Sequence, residues 1–379
     1  MGNQYLEYYG KNKISPVNID KNKLELHIAA RKKLYRQLGI PLQCFNGKDI
    51  LEAGPGSGWN TLVLLKYISK ERINHIDLIE PNETGRAATL KLLEDNGINI
   101  NKYTMYDTVL EKYNKDKTYD FIIAEQFIQH LPDWRNCIKN LKKYAKEGTV
   151  LITTCCDEIG LYIEKMKRFI GRYIIRDITK YDEKVSKLTE IFTPQLENLK
   201  GMTRIKEDWV KDQILNDVFL VRPMNMLDII KEFEDGWDIL GASQNIFTDY
   251  SWYKDVKYDY IEEYKLQYEM KKHMFLTAGN CNETVRTVKE NKKLEKSVNL
   301  ANDLAAEFER GSNFRIEDLV NAVGNVTENT DNLRIKEFNR QLMEILDILV
   351  KENDIDLYKY EIFSMTFGKS SQFISFEKK

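Results

Sequence analysis

Short apolar runs alternate along the first half of the chain with longer segments in which apolar residues recur every three or four positions. The runs predict strands at 48–53, 74–80, 99–106, 119–125 and 149–155. The longer segments predict helices at 59–70, 83–95 and 134–146. Because strands that are separated by helices pair in parallel, residues 48–157 predict a parallel sheet with helices on both faces. A ligand of such a sheet binds at the carboxyl ends of its strands.

The pattern changes after residue 157. Residues 158–223 look helical, and strand–helix alternation returns with a helix at 224–233 and a sixth strand at 237–243. Helical periodicity follows at 256–272 and 284–350, and residues 362–368 and 372–376 alternate like a strand that returns to close the sheet. We therefore expect an N-terminal helical arm at 1–40, a Rossmann-like core at 41–157 and a helical lid insertion at 158–223. The core should continue at 224–250, followed by a helical extension at 251–360 and a closing strand at 361–379.

Three glycines at alternate positions, Gly54, Gly56 and Gly58, follow the first predicted strand. Glycine has no Cβ and tolerates positive φ, so a strand–glycine loop–helix unit lets the backbone approach a nucleotide-like ligand closely. The spacing is G-x-G-x-G and not the G-x-G-x-x-G of dinucleotide sites, and Glu52 precedes the first glycine by two residues. S-adenosylmethionine has an ammonium, a carboxylate and a sulfonium but no phosphate, so an acid beside the loop suits it better than a pyrophosphate. A glycine-rich turn without a ligand is the alternative.

A second acid, Glu80, ends the second predicted strand, 26 residues after Gly54. An acid at this position accepts hydrogen bonds from both ribose hydroxyls of a nucleoside. Enzymes that use NAD have the same acid, so Glu80 indicates a nucleoside, and only the glycine spacing separates the two cofactors.

The E-x-G-x-G-x-G run at 52–58 resembles the first motif of the class I S-adenosylmethionine-dependent methyltransferases. The resemblance covers 48–157 well and 224–245 loosely, and it implies a Rossmann-like seven-stranded α/β sheet with helical insertions. It implies S-adenosyl-L-methionine as the cofactor, with Glu80 on the ribose and Asp107 on the adenine, although Asp107 is equally well a turn residue. The cofactor-binding residues that it implies are Glu52, Ala53, Gly54, Pro55, Gly56, Gly58, Asn60, Glu80, Pro81, Asp107, Glu125 and Gln126.

The N-terminal arm has two open interpretations. Leu24, Ile28, Arg31, Tyr35 and Leu38 recur at helical spacing and predict a helix face. The polar, tyrosine-rich residues 1–20 before it form either a surface arm or, as in the resembled family, a flap over the cofactor.

The loop after the fourth predicted strand is the expected place of the chemistry. In the resembled family, the residues that follow this strand meet cofactor and acceptor. His130 is the candidate general base, and Glu125 and Gln126 are candidates to hold an acceptor amine. The alternative is that His130-Leu131-Pro132 packs the start of the next helix. The absence of an Asn-Pro-Pro-Tyr run argues against the members of the family that methylate adenine or glutamine amides.

A basic cluster in the lid insertion offers a candidate site for the acceptor. Its cations are either a solvated helix face or a lid that binds an anionic acceptor, such as one that carries phosphate. The cluster consists of Lys165, Lys167, Arg168, Arg172 and Arg176 against Glu164. Residues 192–223 with 249–253 look like a bacterial subgroup that modifies surface or flagellin glycans. The candidate substrate-binding residues are Arg168, Arg172, Trp252 and Tyr253.

Composition and charge indicate the cellular compartment and the kinds of partner to expect. The chain has 379 residues, 42% of them apolar, and a net charge of −2, so no global field favours nucleic acid. Five cysteines without a C-x-x-C pair indicate a reducing compartment, and four isolated histidines make a metal centre unexpected. We find no apolar leader and no run of 18 apolar residues, and we expect a cytoplasmic protein without a membrane partner.

These patterns together predict an S-adenosylmethionine-dependent methyltransferase that acts on an oxygen or amine of a small polar or glycan-linked acceptor. A non-catalytic module that binds the same cofactor and an NAD-dependent oxidoreductase are the alternatives.

Overall fold

The computed structural model describes residues 3–14, 18–217, 222–248, 252, 254–255, 260–279, 286–311, 314–351 and 355–379. Its strands form one seven-stranded sheet in the order β3-β2-β1-β4-β5-β7-β6. The strands β1 to β7 are Asp49–Ala53, His75–Ile79, Tyr103–Tyr106, Tyr119–Ala124, Ala145–Cys156, Trp237–Ala242 and Ser371–Lys378. The first five pair in parallel, and β7 lies antiparallel between β5 and β6. The predicted fold class, a Rossmann-like α/β sheet with seven strands, is confirmed.

Fourteen α-helices lie in the described part of the chain. The helices α1 to α7 are Asn3–Lys11, Leu24–Gln37, Trp59–Leu62, Glu83–Asp95, Trp134–Lys142, Glu158–Ile174 and Tyr181–Glu197. The helices α8 to α14 are Lys206–Trp209, Met226–Glu232, Tyr260–Lys271, Val288–Glu309, Ile316–Glu328, Leu333–Lys351 and Glu361–Met365. Both α3 and α8 continue as π-helical turns, at Val63–Ile68 and Val210–Ile214.

Helices cover both faces of the sheet, because successive residues of each strand point to opposite sides. Ile50 belongs to the apolar cluster that α2 and α3 complete, whereas its neighbour Leu51 belongs to the cluster that includes α5 and α6. The core strands are almost entirely buried, as expected for parallel strands covered on both faces.

Helices α6 to α8 and the following π-helical turn form the lid insertion between β5 and β6, and α10 to α14 form the helical extension between β6 and β7. The extension packs on the lid, because α11 runs along α6. Aromatic contacts join the extension and the lid. The ring centroid of Phe308 in α11 lies 5.0 Å from that of Phe169 in α6, and the Phe308 ring stacks on Tyr173.

Several predicted boundaries are wrong, and one element type is wrong. Residues 361–365 are helix α14 and not part of the closing strand, which starts at residue 371. Phe363 and Ser364 are buried in this helix, and the N–H groups of Ser364 and Thr366 donate to the carbonyl oxygens four residues earlier, as in an α-helix. Strand β3 starts at residue 103 because Ile100–Lys102 is a 3-10 turn, and α5 ends at residue 142 because β5 already begins at residue 145.

The closing strand should contribute strongly to stability. The ring of Phe376 in β7 is buried and stacks on Phe233, with ring centroids 4.1 Å apart. Phe376→Ala should lower the free energy of unfolding by about 3–5 kcal/mol, because a large cavity opens in the core. Urea unfolding followed by circular dichroism measures the change. Leu333→Ala, at a side chain that is 78% exposed, is the matched control. Equal midpoints for Phe376→Ala and wild type would show that β7 does not form this contact.

Candidate active site

The glycine loop has the backbone conformation that its spacing predicts. Gly54, Gly56 and Gly58 have φ angles of 73°, 60° and 77°, in the left-handed region that favours glycine. Space excludes a side chain as well, because a Cβ on Gly58 would lie 2.8 Å from the side chain of Thr89. The loop therefore requires glycine for both its conformation and its packing.

Two buried acids flank this loop at the ends of β1 and β2. Glu52 accepts a hydrogen bond from the hydroxyl of Thr61 at 2.7 Å. Glu80 accepts from the backbone N–H groups of Gly56 and Asn82, both at 2.9 Å. Burial raises the pKa of each carboxyl to about 7, although these hydrogen bonds act in the opposite direction. Such a site favours a ligand that brings positive charge, because a cation offsets the cost of ionising both acids.

A buried ion pair stands beside the loop. Arg31 of α2 donates from its two Nη atoms to the two carboxylate oxygens of Glu125, at 2.8 and 2.9 Å, and also to the hydroxyl of Tyr35. Asn60 donates to the same carboxylate at 3.3 Å and lies 3.1 Å from His27 Nε2. Both oxygens of Glu125 are thus bound by a guanidinium, which argues against a role as a base and favours a positioning role.

These groups line a cavity of about 970 Å³ at the carboxyl ends of the strands. The lid contributes Arg204 and Asp212, the closing strand contributes Ser371, and the N-terminal arm contributes Leu6 and Tyr9. The structure thus favours the flap interpretation of the arm. The predicted residues that line the cavity are Glu52, Ala53, Gly54, Pro55, Gly56, Asn60, Glu80, Pro81, Glu125, Gln126 and His130.

Some predicted residues lie elsewhere. Gly58 shapes the loop from below as the N-cap of α3 and does not line the cavity. Asp107 is 70% exposed and pairs with Arg86 at 2.7 Å, so its placement favours the turn interpretation over contact with the adenine. Trp252 is 57% exposed, away from the cavity, next to Lys254. Tyr253 lies outside the described residues.

The expected anion site at Arg168 and Arg172 is not supported by their placement. Arg168 is buried, and its guanidinium forks onto Glu309 of α11 with two distances of 2.7 Å. Arg172 donates to the carbonyl oxygens of Ile214 and Leu215 and pairs with Asp217. These arginines therefore tie α6 to the π-helical turn and to α11. Arg168 and Arg172 therefore fit neither a solvated helix face nor an acceptor site, because their donors bind groups within the protein.

His130 lies in a buried turn on the wall of the cavity. Its Nε2 is 4.0 Å from the sulfur of Cys156. Burial lowers the pKa of His130 to about 4, and the negative charge of Asp212 acts in the opposite direction. The imidazole is thus neutral at neutral pH and can accept a proton.

The sequence did not point to the polar groups of the lid and arm that face the same cavity. Arg204 contacts Asp212 with Nη2 and Oδ2 2.8 Å apart, and the hydroxyl of Tyr9 donates to Asp212 Oδ1 at 2.7 Å. Ile19 forms an antiparallel bridge with Arg204. Only long-range contacts bring these residues together, so spacing along the chain carried no signal for them.

Part of this chain is similar to known proteins. Residues 26–176 match the family model described as a methyltransferase domain. This segment, 151 of the 379 residues, is similar to a methyltransferase domain. At the level of the domain, the match confirms the predictions of an enzyme of this class and of S-adenosylmethionine as its cofactor.

The chain also matches a distant curated relative. Phosphoethanolamine N-methyltransferase 2 of Caenorhabditis elegans is 24% identical over 194 residues, which cover 50% of this chain and 40% of that protein. The match thus spans about two fifths of that relative's length. The alignment indicates similarity to a methyltransferase.

Two solved structures are similar to parts of this chain at low identity. PKMT2 from Rickettsia typhi, in complex with AdoHcy, has a TM-score of 0.41 at 13% identity and covers 64% of this chain and 47% of its own. N-methyltransferase NodS from Bradyrhizobium japonicum, in complex with S-adenosyl-l-homocysteine, has a TM-score of 0.33 at 18% identity. The match covers 41% of this chain and 74% of the NodS chain. Both scores are too low to bear on the acceptor.

Two further observations concern the described residues only. None of their helices is both long and apolar enough to span a membrane. They also contain no group of His, Cys, Asp and Glu side chains that could hold a metal ion.

The raised pKa of Glu52 generates a stability prediction. The folded protein keeps a proton on Glu52 up to about pH 7, whereas the unfolded chain releases it near pH 4.5, so the free energy of unfolding falls between these values as pH rises. Glu52→Gln cannot ionise and keeps an acceptor for Thr61. It should exceed wild type by about 2–3 kcal/mol at about pH 8 and equal it at about pH 4.

Urea unfolding at both pH values measures this difference, with Glu147→Gln on the exposed surface as the control. A Glu52→Gln variant that is no more stable than wild type at the higher pH would refute the assignment.

Proposed function

We propose that the protein is an S-adenosylmethionine-dependent methyltransferase that acts on an oxygen or amine nitrogen of a small polar acceptor. The observation that carries the proposal is the loop of three left-handed glycines between two buried acids, inside a segment that matches a methyltransferase domain. S-adenosylmethionine supplies an activated methyl group on a sulfonium. The glycine loop and Glu52 would hold its methionine half, and Glu80 its ribose.

The charges of the site suit this cofactor. Glu52 and Glu80 are buried, and they accept hydrogen bonds from hydroxyl or backbone N–H groups. The cationic cofactor would bring further positive charge next to these acids and offset the cost of their burial. A pyrophosphate would instead add negative charge beside them, which disfavours NAD.

The enclosure of the cavity supports a small acceptor. The arm and the lid meet over the strand ends, where Tyr9 binds Asp212. The relative from Caenorhabditis elegans is named for phosphoethanolamine, a small amine with an anionic group, and we propose an acceptor of this general kind. The resemblance of residues 192–223 to enzymes that modify surface or flagellin glycans supports a sugar-linked form of it. The cysteine pattern supports action in a reducing, cytoplasmic compartment.

The chain's own residues have two tasks in this proposal. Glu125, Asn60 and Arg31 form a rigid wall that aligns acceptor and cofactor, and alignment is worth up to about 7–11 kcal/mol of the barrier. His130 would accept the proton of the acceptor, and the charge of Asp212 would stabilise the imidazolium that forms.

Product formation tests the activity. The purified chain is incubated with S-adenosylmethionine and fractionated small metabolites, and S-adenosylhomocysteine is measured. Formation that depends on a metabolite fraction supports the enzyme. Tight cofactor binding without product from any fraction would favour the non-catalytic module.

Glu80 should be needed for cofactor affinity. Glu80→Ala removes the proposed acceptor of two ribose hydroxyl hydrogen bonds and should weaken binding by about 2–4 kcal/mol. Glu80→Gln keeps one acceptor for the Gly56 N–H and should show a smaller loss. Equilibrium dialysis with labelled S-adenosylmethionine measures both, and the exposed Glu83→Ala on the next helix is the control. Unchanged affinity in a folded Glu80→Ala variant would reject the role.

His130 should be needed for turnover and not for binding. His130→Asn should reduce kcat by about 10²–10⁴-fold while cofactor affinity stays the same. The loss should shrink as pH rises, because solvent then deprotonates the acceptor. A loss that is constant with pH, together with a lowered melting temperature, would show that His130 only packs the turn.

A further inference from the structure

We propose that Arg204 binds an anionic group of the acceptor, a carboxylate or a phosphate monoester, and so selects the acceptors that the enzyme methylates. The inference rests on the proposed function, because it assigns the acceptor end of the same cavity. It replaces the anion site that the sequence suggested at Arg168 and Arg172.

Arg204 is fixed at the wall of the cavity by its neighbours. It lies in the lid just before α8 and lines the cavity with Thr203. Its side chain is only 15% exposed. The arm holds its backbone, because Asp20 N–H donates to the carbonyl of Thr203 at 2.9 Å and Ile205 N–H donates to that of Asn18 at 3.1 Å.

The guanidinium of Arg204 is paired less completely than those of the other buried arginines of the site and lid. Its ion pair with Asp212 joins Nη2 and Oδ2 at 2.8 Å. Within the described residues, neither Nε nor Nη2 has a hydrogen bond of good geometry. By contrast, Arg31 and Arg168 each fork onto a carboxylate with two well-formed hydrogen bonds. A buried guanidinium without such bonds is costly, and a ligand anion would supply the missing acceptors.

Asp212 can tolerate this sharing of Arg204. It accepts from the hydroxyl of Tyr9 at 2.7 Å and from Asn216 Nδ2 at 3.3 Å, so it keeps two donors when an anion engages the arginine. Its negative charge also competes with the ligand anion. We therefore expect moderate affinity for a free anion. Neutralising Arg204 should lower this affinity, and neutralising Asp212 should raise it.

His130 lines the same cavity as this pair. An acceptor anchored by its anion at Arg204 would lie in the compartment that His130 also faces. The lid would thus determine which molecules are presented to the β4 loop, while the glycine loop binds the cofactor.

Calorimetric titration of the full chain with inorganic phosphate and with acetate tests the proposal. Arg204→Met should weaken binding of the preferred anion by about tenfold or more, since charge-assisted hydrogen bonds are lost. Arg176→Met, in the lid but outside the cavity, is the matched control and should bind like wild type. Tighter binding of phosphate would indicate a phosphate monoester, and tighter binding of acetate a carboxylate.

Asp212→Asn provides a test of opposite sign. It keeps the shape and an acceptor for Tyr9 but removes the competing charge, so anion affinity should rise. A merely structural pair does not predict this gain. If Arg204→Met fails to fold, the Asp212→Asn result decides.

Each result has one meaning. No anion binding to wild type, equal affinity in folded Arg204→Met, or no gain in Asp212→Asn would overturn the assignment of Arg204. The titrations are run with and without S-adenosylhomocysteine. Failure of that compound to bind would contradict the proposed function, while the anion comparison without it still decides the role of Arg204.

Discussion

The antiparallel position of the closing strand between β5 and β6 determines where the rest of the chain lies. Cys156 at the end of β5 pairs with Ser371 at the start of β7, and Ala242 at the end of β6 pairs with Ile374. The lid therefore leaves the sheet, and the extension both leaves and returns, at the edge where the glycine loop lies. Both insertions must be accommodated at the ligand-binding edge, and the cavity is enclosed as a consequence.

The buried charges around this enclosed cavity indicate which ligands it would bind. Most buried charges of the lid and wall are paired inside the protein, as Arg168 is with Glu309 and Arg31 with Glu125. Two kinds of group in the cavity are paired less completely. Glu52 and Glu80 have raised pKa values because burial disfavours their charge, and Arg204 pairs with Asp212 without the two well-formed hydrogen bonds that Arg31 and Arg168 make. A cationic cofactor and an anionic acceptor would satisfy these two needs within one cavity.

The sequence could predict the fold, and the left-handed conformation of the glycine loop, because both depend on local patterns. The glycine spacing and the acid Glu80 lie within 27 residues of each other, and each strand pattern covers only a few residues. The acceptor half could not be predicted, since Tyr9, Arg204 and Asp212 meet only after folding. The same reason explains the error at Arg168, whose partner Glu309 is 141 residues away. The helix at 361–365 was missed because so short a segment fits either periodicity.

The central claim is that the cavity at the strand ends binds S-adenosylmethionine and not a dinucleotide. Calorimetric titration of the wild-type chain with S-adenosylmethionine and with NAD, under the same conditions, tests it most directly. The structure predicts saturable binding of one S-adenosylmethionine per chain and no measurable heat from NAD. Binding of NAD without binding of S-adenosylmethionine would contradict the claim.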